Sequence, residues 1–283
     1  MTLNEFRADM HCHSTCSDGT CSPIEMVHLA KEKGLSGLSI TDHDTIHAYS
    51  SAIQEAEKSD LQLISGVEFS SNHKDISVHI LCYSFHPQNP LIVDFCQRHQ
   101  QRRENRNLAI LERLKAQNMP LSLAEVHNVS AHHSLTHTTG RPHIAQAMVK
   151  KGYVESMKDA FRLYLGEDKS CYVPGNTFSA EETLDVIHQA KGLAILAHPH
   201  LIKSYKITQE LLTLNFDGLE AYYGRFQPEQ NKKWVSTAKK KNWLITGGSD
   251  FHGDNTPTIY LGNSWIDKDH FLILQQHYKN NVH

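Results

Sequence analysis

The chain has 283 residues, 39% hydrophobic and 21% charged, which suits one sizeable α/β domain with an insertion better than several small domains. A formal charge of −3 excludes a general nucleic-acid coating protein, so an anionic substrate must be caught locally. Six cysteines without a C-x-x-C pair argue against a zinc ribbon or a thioredoxin-type site, and the N-terminus carries charges instead of an apolar h-region, which fits a cytoplasmic protein with free thiols and no membrane partner.

The 21 histidines are the compositional outlier. The first strand ends in D-M-H-C-H-S-T-C-S-D-G-T, which places His11 and His13 on one face of an extended segment where two imidazoles can grip one cation. Asp9 shares that face and is expected to orient a ligating imidazole from behind, with Cys12 pointing away. A strand is predicted over 35 to 41, a helix over 45 to 58 and a strand over 61 to 69. Between the first two lies T-D-H-D-T, where Asp42, His43 and Asp44 follow one another. Asp42 or Asp44 can cap the next helix, whereas His43 is the better ligand candidate. Glu68 closes the apolar strand S-G-V-E-F, and His79 is embedded in the β-rich run S-V-H-I-L-C-Y, a setting that also suits a hydrogen-bonded core histidine.

From about 92 to 172 strand patterning gives way to helices, so the chain divides into a βα-repeating part, 1–91 with 173–283, and a helical insertion, 92–172. The insertion's first helix carries Arg98, Arg102, Arg103, Arg106, Arg113 and Lys115 against Glu104 and Glu112. Arg102 and Arg106 are i, i+4 neighbours and Arg103 and Arg106 i, i+3, a spacing equally open to a forked phosphate grip and to a solvated basic face. In T-T-G-R-P-H-I-A, Pro142 can open a helix with Arg141 and His143 beside it, a position that suits an anion. The histidine-rich stretch 127–137 has no spacing that builds a site and is expected to face solvent.

The βα pattern resumes with a helix over 179 to 191, strands over 192 to 197 and 216 to 221, a helix over 228 to 241 and a strand over 243 to 247. Tyr222, Tyr223 and the tryptophans are expected to pack at the core or rim. Repeated βα units predict a closed or nearly closed parallel barrel whose functional residues gather at strand ends. A-I-L-A-H-P-H and T-G-G-S-D-F-H-G both end good strands with ligand-type side chains, and Asp250 and His252 repeat the spacing of His11 and His13.

Taken together, D-x-H-x-H-S-x-x-S-D-G, T-D-H-D, G-x-E, the His79 strand, A-H-P and S-D-x-H resemble the PHP (polymerase and histidinol phosphatase) superfamily over nearly the whole chain. The insertion, E-R-L and G-R-P-H-I-A are similar to its TrpH-like (YciV-like) group of nucleotide phosphatases and 5′-to-3′ exoribonucleases. The resemblance implies a distorted seven-stranded (β/α) barrel with a helical cap, and two or three divalent metals, manganese foremost with iron or zinc as alternatives. By motif, His11, His13, Glu68 and Asp250 would form one metal site. Asp18, His43 and His252 would form a second, with Asp18 where other members carry histidine. Glu68, His79 and His198 would form a third, with Asp9 and Asp42 behind the ligands. Asp44, Arg102, Arg103, Arg106, Asn107, Arg141 and His143 would line the substrate, with Asp44 assisting the metal-held water. The implied reaction is hydrolysis of a nucleoside 3′,5′-bisphosphate or a short 5′-phosphorylated RNA. The rivals are histidinol-phosphate phosphatase or another small phosphomonoesterase, and a non-catalytic PHP binding module; no obligate protein partner is expected. The segment A-Y-Y-G-R-F-Q departs from the family in carrying Phe226 where relatives often have histidine.

Overall fold

The structure, a computed structural model, describes residues 5–129, 138–175 and 178–281. His132, His133 and His137 of the histidine-rich stretch lie outside the described residues. The chain forms two compact units, Met1–Cys96 with Thr177–His283, and Gln97–Asn176.

The first unit is built of short strands alternating with helices. In chain order these are β1 (Ala8–Asp9), α1 (Pro23–Glu32), β2 (Gly37–Leu38), α2 (Tyr49–Lys58), β3 (Gln62–Leu63), β4 (Gly66–His73) and β5 (Ile76–Tyr83). Helix α3 (Pro90–Ala116) carries the chain into the second unit, which holds α4 (Leu123–His127), α5 (Arg141–Lys150) and α6 (Met157–Ala160). The first unit resumes with β6 (Phe178–Ser179), α7 (Ala180–Gln189), β7 (Leu193–Leu196), α8 (Tyr205–Leu211), β8 (Gly218–Tyr223), α9 (Pro228–Lys241), β9 (Leu244–Gly248) and α10 (Lys268–Asn281). The changeover lies inside α3 rather than at residue 91, because Ile92, Phe95 and Cys96 on its first turns pack into the core of the first unit.

Strand pairing is mixed. One sheet has the parallel order β1-β2-β3, and the other runs β6-β4-β5-β7-β8-β9. The wholly parallel arrangement expected from βα repetition fails at β5. Only Lys74 and Asp75 separate it from β4, both with positive φ, and so short a connection permits a hairpin but no crossover. β5 therefore runs antiparallel to β4 and β7. No ladder among the described residues joins the two sheets; isolated bridges do, at Ala8↔Ile266, Cys12↔Phe251 and His43↔Glu68. The last two of these lie at residues adjoining or belonging to the candidate site.

Helices α1 and α7 start where a serine accepts from the N3 amide, Ser22 from Glu25 N and Ser179 from Glu182 N. Helix α2 begins four residues later than the sequence suggested, at Tyr49, and its N-cap Ala48 makes no side-chain cap bond. Asp42 and Asp44 are thereby freed from capping. The buried apolar groups of β4, β5, β7 and β8 form a continuous core with α7, α8 and α9. The helical unit packs separately around Ile110, Leu114, Val126, Ile144, Met148 and Leu165.

Candidate metal centre

Backbone bonding brings the first and last sequence motifs together. Met10 N donates to Gly247 O, His13 N to Phe251 O, and Asp250 N to His11 O at 2.8 Å, so H-C-H and S-D-F-H run side by side. Gly248 permits this approach, since a Cβ there would lie 2.3 Å from His11 N. Asp250 and His198 both hold positive φ, 56° and 24°, where an ordinary side chain is strained, as does Asp44 at 56°.

Four ligand-type atoms then converge. His11 Nε2 lies 3.1 Å from His13 Nε2, 3.2 Å from Glu68 Oε2 and 3.4 Å from Asp250 Oδ1. His13 Nε2 lies 3.2 Å from the same Glu68 oxygen and 3.3 Å from the same Asp250 oxygen. A tetrahedron with such edges places its centre about 2.0 Å from each corner, the bond length of a first-row divalent ion to imidazole and carboxylate. A second group, His13, Asp18, His43 and His252, is looser, with His252 Nε2 3.4 Å and His43 Nε2 4.0 Å from the Asp18 carboxylate. The third gathers on Glu68. Its Oε1 lies 2.8 Å from both His79 Nδ1 and His198 Nε2, and its Oε2 3.1 Å from His43 Nδ1. One carboxylate thus faces five imidazoles.

The donor set fits cations. His11 Nδ1 is bonded to Glu220 Oε1 at 2.9 Å, which fixes the ring so that a lone pair at Nε2 faces the His13 ring nitrogen. Asp18 Oδ1, His43 Nδ1 and Glu68 Oε2 are buried without a hydrogen-bond partner, an arrangement that is costly unless something positive joins them. Burial opposes charge on Glu68, Asp18 and Asp250, yet the surrounding histidines hold all three carboxyls well below the usual range. Burial likewise opposes charge on His13, but Asp250 and Glu68 outweigh it and push its pKa up to about 10, whereas burial takes His43 down to about 3. An excess of carboxylate charge calls for cations, and protons on His11 and His13 or divalent metals answer the same demand.

The supporting residues differ from the sequence reading. Asp9 does not hold an imidazole; it accepts from the backbone amides of His11, Ser249 and Gly262, and burial raises its pKa to about 6. Glu220 takes the role expected of Asp9, bonding the His11 ring and His198 N while fully buried. The signal was legible, since Gly218-Leu-Glu220 repeats the pattern of Gly66-Val-Glu68. Asp42 accepts from Ser14 N, Ser14 Oγ and Ser17 Oγ and so ties down the loop that carries His13 and Asp18. Asp44 accepts from Ser70 N on β4. Tyr223, expected only to pack, donates its hydroxyl to Asp250 Oδ2 at 2.7 Å, and Phe226 stacks on His200 at 5.0 Å.

The basic residues are in the other unit. Arg141 lies over the Tyr172 ring and donates to Leu165 O, and Arg103 Nη1 approaches Gly140. His143 is buried and accepts from Gly140 N, and Asn107 donates to Thr139 O. Arg102 and Arg106 are half-buried on α3.

The PHP domain family matches residues 9–246. The chain belongs to this family. It is 33% identical over 266 residues to the 5'-3' exoribonuclease Rnm of Escherichia coli, spanning 91% of this chain and 89% of that protein. It is 28% identical over 253 residues to the 3',5'-nucleoside bisphosphate phosphatase of Chromobacterium violaceum, spanning 86% of each. A crystal structure of a Bifidobacterium adolescentis protein assigned as a metal-dependent phosphoesterase superposes with a TM-score of 0.86 at 31% identity, covering 95% of this chain and 96% of that one. As a PHP member with these relatives, the chain is a hydrolase of phosphoester bonds. No helix among the described residues is long and apolar enough to cross a membrane.

Proposed function

We propose that this protein hydrolyses a phosphate ester of a nucleoside 3′,5′-bisphosphate or of a short 5′-phosphorylated RNA, using two or three divalent metals, manganese foremost. The convergence of His11, His13, Glu68 and Asp250 atoms at 3.1–3.4 Å carries the reading. His11, His13, Glu68 and Asp250 would hold one ion, Asp18, His43 and His252 a second, and Glu68, His79 and His198 a third. Such ions lower the pKa of water and neutralise charge developing on phosphoryl oxygens. The chain's own part is to fix the ligand atoms: Glu220 orients the His11 ring, Tyr223 holds the outer oxygen of Asp250, and Asp42 anchors the loop bearing Asp18. Asp44, braced by Ser70 N, would accept a proton from the attacking water.

In the same reading the two bridged sheets would supply the strands of a distorted barrel of the PHP type, and the helical unit would be its cap. Arg102, Arg103, Arg106, Asn107, Arg141 and His143 of the cap would take the substrate's second anionic group. Support for this lies in the nearness of Arg103 and Arg141 around Gly140. A cytoplasmic location accords with six free thiols.

A panel of adenosine 3′,5′-bisphosphate, AMP, a 5′-phosphorylated RNA and histidinol phosphate, each with manganese, tests the proposal. Turnover of the bisphosphate or RNA at least tenfold faster than the other two is expected. Preference for histidinol phosphate would replace the substrate reading, and a stable, metal-free, inactive protein would favour a binding module instead.

A further inference from the structure

Beside the cluster stands a cation to which the sequence reading assigned no role. Arg225 Nη2 lies 3.1 Å from Asp250 Oδ2, the oxygen that also receives the Tyr223 hydroxyl, while Oδ1 of the same carboxylate faces His11 and His13. The guanidinium is one carboxylate's width from the tightest group of ligand-type atoms, and its side chain is 39% exposed, whereas that of Asp250 is 9% exposed.

The backbone at this position is fixed on both sides. Gly224 N donates to Gly248 O at 3.0 Å, and a Cβ on Gly224 would meet Ser249 O at 2.8 Å. Asn263 Nδ2 donates to Gly224 O, Phe226 N donates to Tyr223 O, and the Phe226 ring is stacked on His200. Arg225 thus leaves a clamped turn with its head already at the cluster, which removes much of the ordering cost of binding.

Bracing Asp250 does not account for the arginine. The Tyr223 hydroxyl already holds Oδ2 at a shorter distance, and a partly exposed ion pair contributes little to stability. A permanent positive charge beside a pocket for divalent cations also repels them, so alone it lowers metal affinity. It becomes favourable when an anion enters that both the metals and a fork of N–H donors can hold.

We infer that Arg225 is a substrate-binding residue that reaches from Asp250 to an oxygen of the phosphoryl group bound at the metal centre. The inference rests on the phosphoester-hydrolase reading and adds to it the residue that recruits the reacting anion. Arg225 keeps one donor on Asp250 and offers the remaining donors of the guanidinium to the phosphoryl group. No proton is transferred, since the guanidinium stays charged throughout.

The test compares the manganese-loaded parent with Arg225→Ala and Arg225→Lys, using inorganic phosphate as the probe. Phosphate affinity, bound manganese per chain, manganese affinity and melting temperature are measured for each. In Arg225→Ala, phosphate binding is expected to weaken roughly ten- to a hundredfold, with manganese affinity unchanged or higher and the melting temperature within about two degrees. Arg225→Lys should recover part of the phosphate affinity, as a point charge without the fork. Unchanged phosphate affinity in Arg225→Ala would overturn the inference. So would a drop in manganese affinity large enough to explain the phosphate loss, because that pattern belongs to a brace. The two readings separate cleanly: a parent that turns over no phosphoester but loses phosphate binding in Arg225→Ala sinks the reaction and leaves the anion site.

Discussion

The two units of this chain differ in how far their ligand-type side chains converge. In the first, six imidazoles and three carboxylates from distant parts of the sequence point at one another, and Asp18, His43 and Glu68 each leave a buried atom without a hydrogen-bond partner. In the helical unit Arg141 lies between aromatic rings and a carbonyl, His143 caps its own helix, and Asn107 bonds a neighbouring carbonyl. Polar groups satisfied by protein are settled as part of the fold, whereas those left converging require a ligand to complete them. Among the described residues, the contrast confines the converging metal-ligand atoms to the first unit.

The sharpest way to break this contrast is to remove the carboxylate that faces five rings. Glu68→Gln should lower turnover by about three orders of magnitude, the scale of several kcal/mol lost from a metal-assisted reaction, and bound manganese should fall in parallel. Retained turnover would mean the clustered atoms are not the reaction centre. Chelation comes next. Stripping divalent ions from the loaded protein should lower its melting temperature by several degrees, since one site filled at a hundred times its Kd adds about 2.7 kcal/mol. A scan that ignores chelator would identify the convergence as purely structural.

Glu220→Gln should weaken manganese binding about ten- to a hundredfold, because the glutamine amide no longer enforces the His11 tautomer with a full charge. A metal titration checks this, and unchanged affinity would reduce Glu220 to a packing residue. In the helical unit, Arg103→Ala combined with Arg141→Ala should cost about a hundredfold or more on a bisphosphorylated nucleotide and much less on a monophosphorylated one, each lost charge-assisted contact amounting to about 1.5–3 kcal/mol. Equal losses on the two substrates would remove these arginines from the anion site. The smallest change is Ser122→Ala, which deletes the reciprocal cap of α4 with Glu125. It should cost about 1 kcal/mol of stability in a denaturation curve and leave manganese stoichiometry untouched.

Eight of the nine ligand candidates were legible because each ends or interrupts an apolar strand pattern, where a charged or imidazole side chain is conspicuous, whereas Asp18, in a turn, came only from the family resemblance. Strand and helix positions in the first unit could be read for the same reason, as at 193–196 and 228–241. The β5 reversal was not, since hydrophobic alternation is blind to strand direction. Arg225 and Tyr223 also escaped, because a lone arginine and a tyrosine pair in a turn carry no spacing signal. Asp9 was misread for a related reason. Sharing a face with His11 placed it near the ring, but the free amides of Ser249 and Gly262 come from the far end of the chain and claim its oxygens first.

The sequence by itself determined the residue types: imidazoles and carboxylates at strand ends, a helical segment rich in arginine, and a βα frame to carry them. Local pattern suffices there because burial periodicity and side-chain chemistry are properties of a few neighbouring residues. Only the tertiary structure decided which atoms meet. The backbone bonds between residues 10–13 and 247–251, the hairpin that turns His79 toward Glu68, and the Glu220 carboxylate against the His11 ring all join segments far apart in the chain. Ångström-scale convergence of several charges is a property of packing, and it is there that a set of histidines becomes a candidate metal centre with an arginine at its edge.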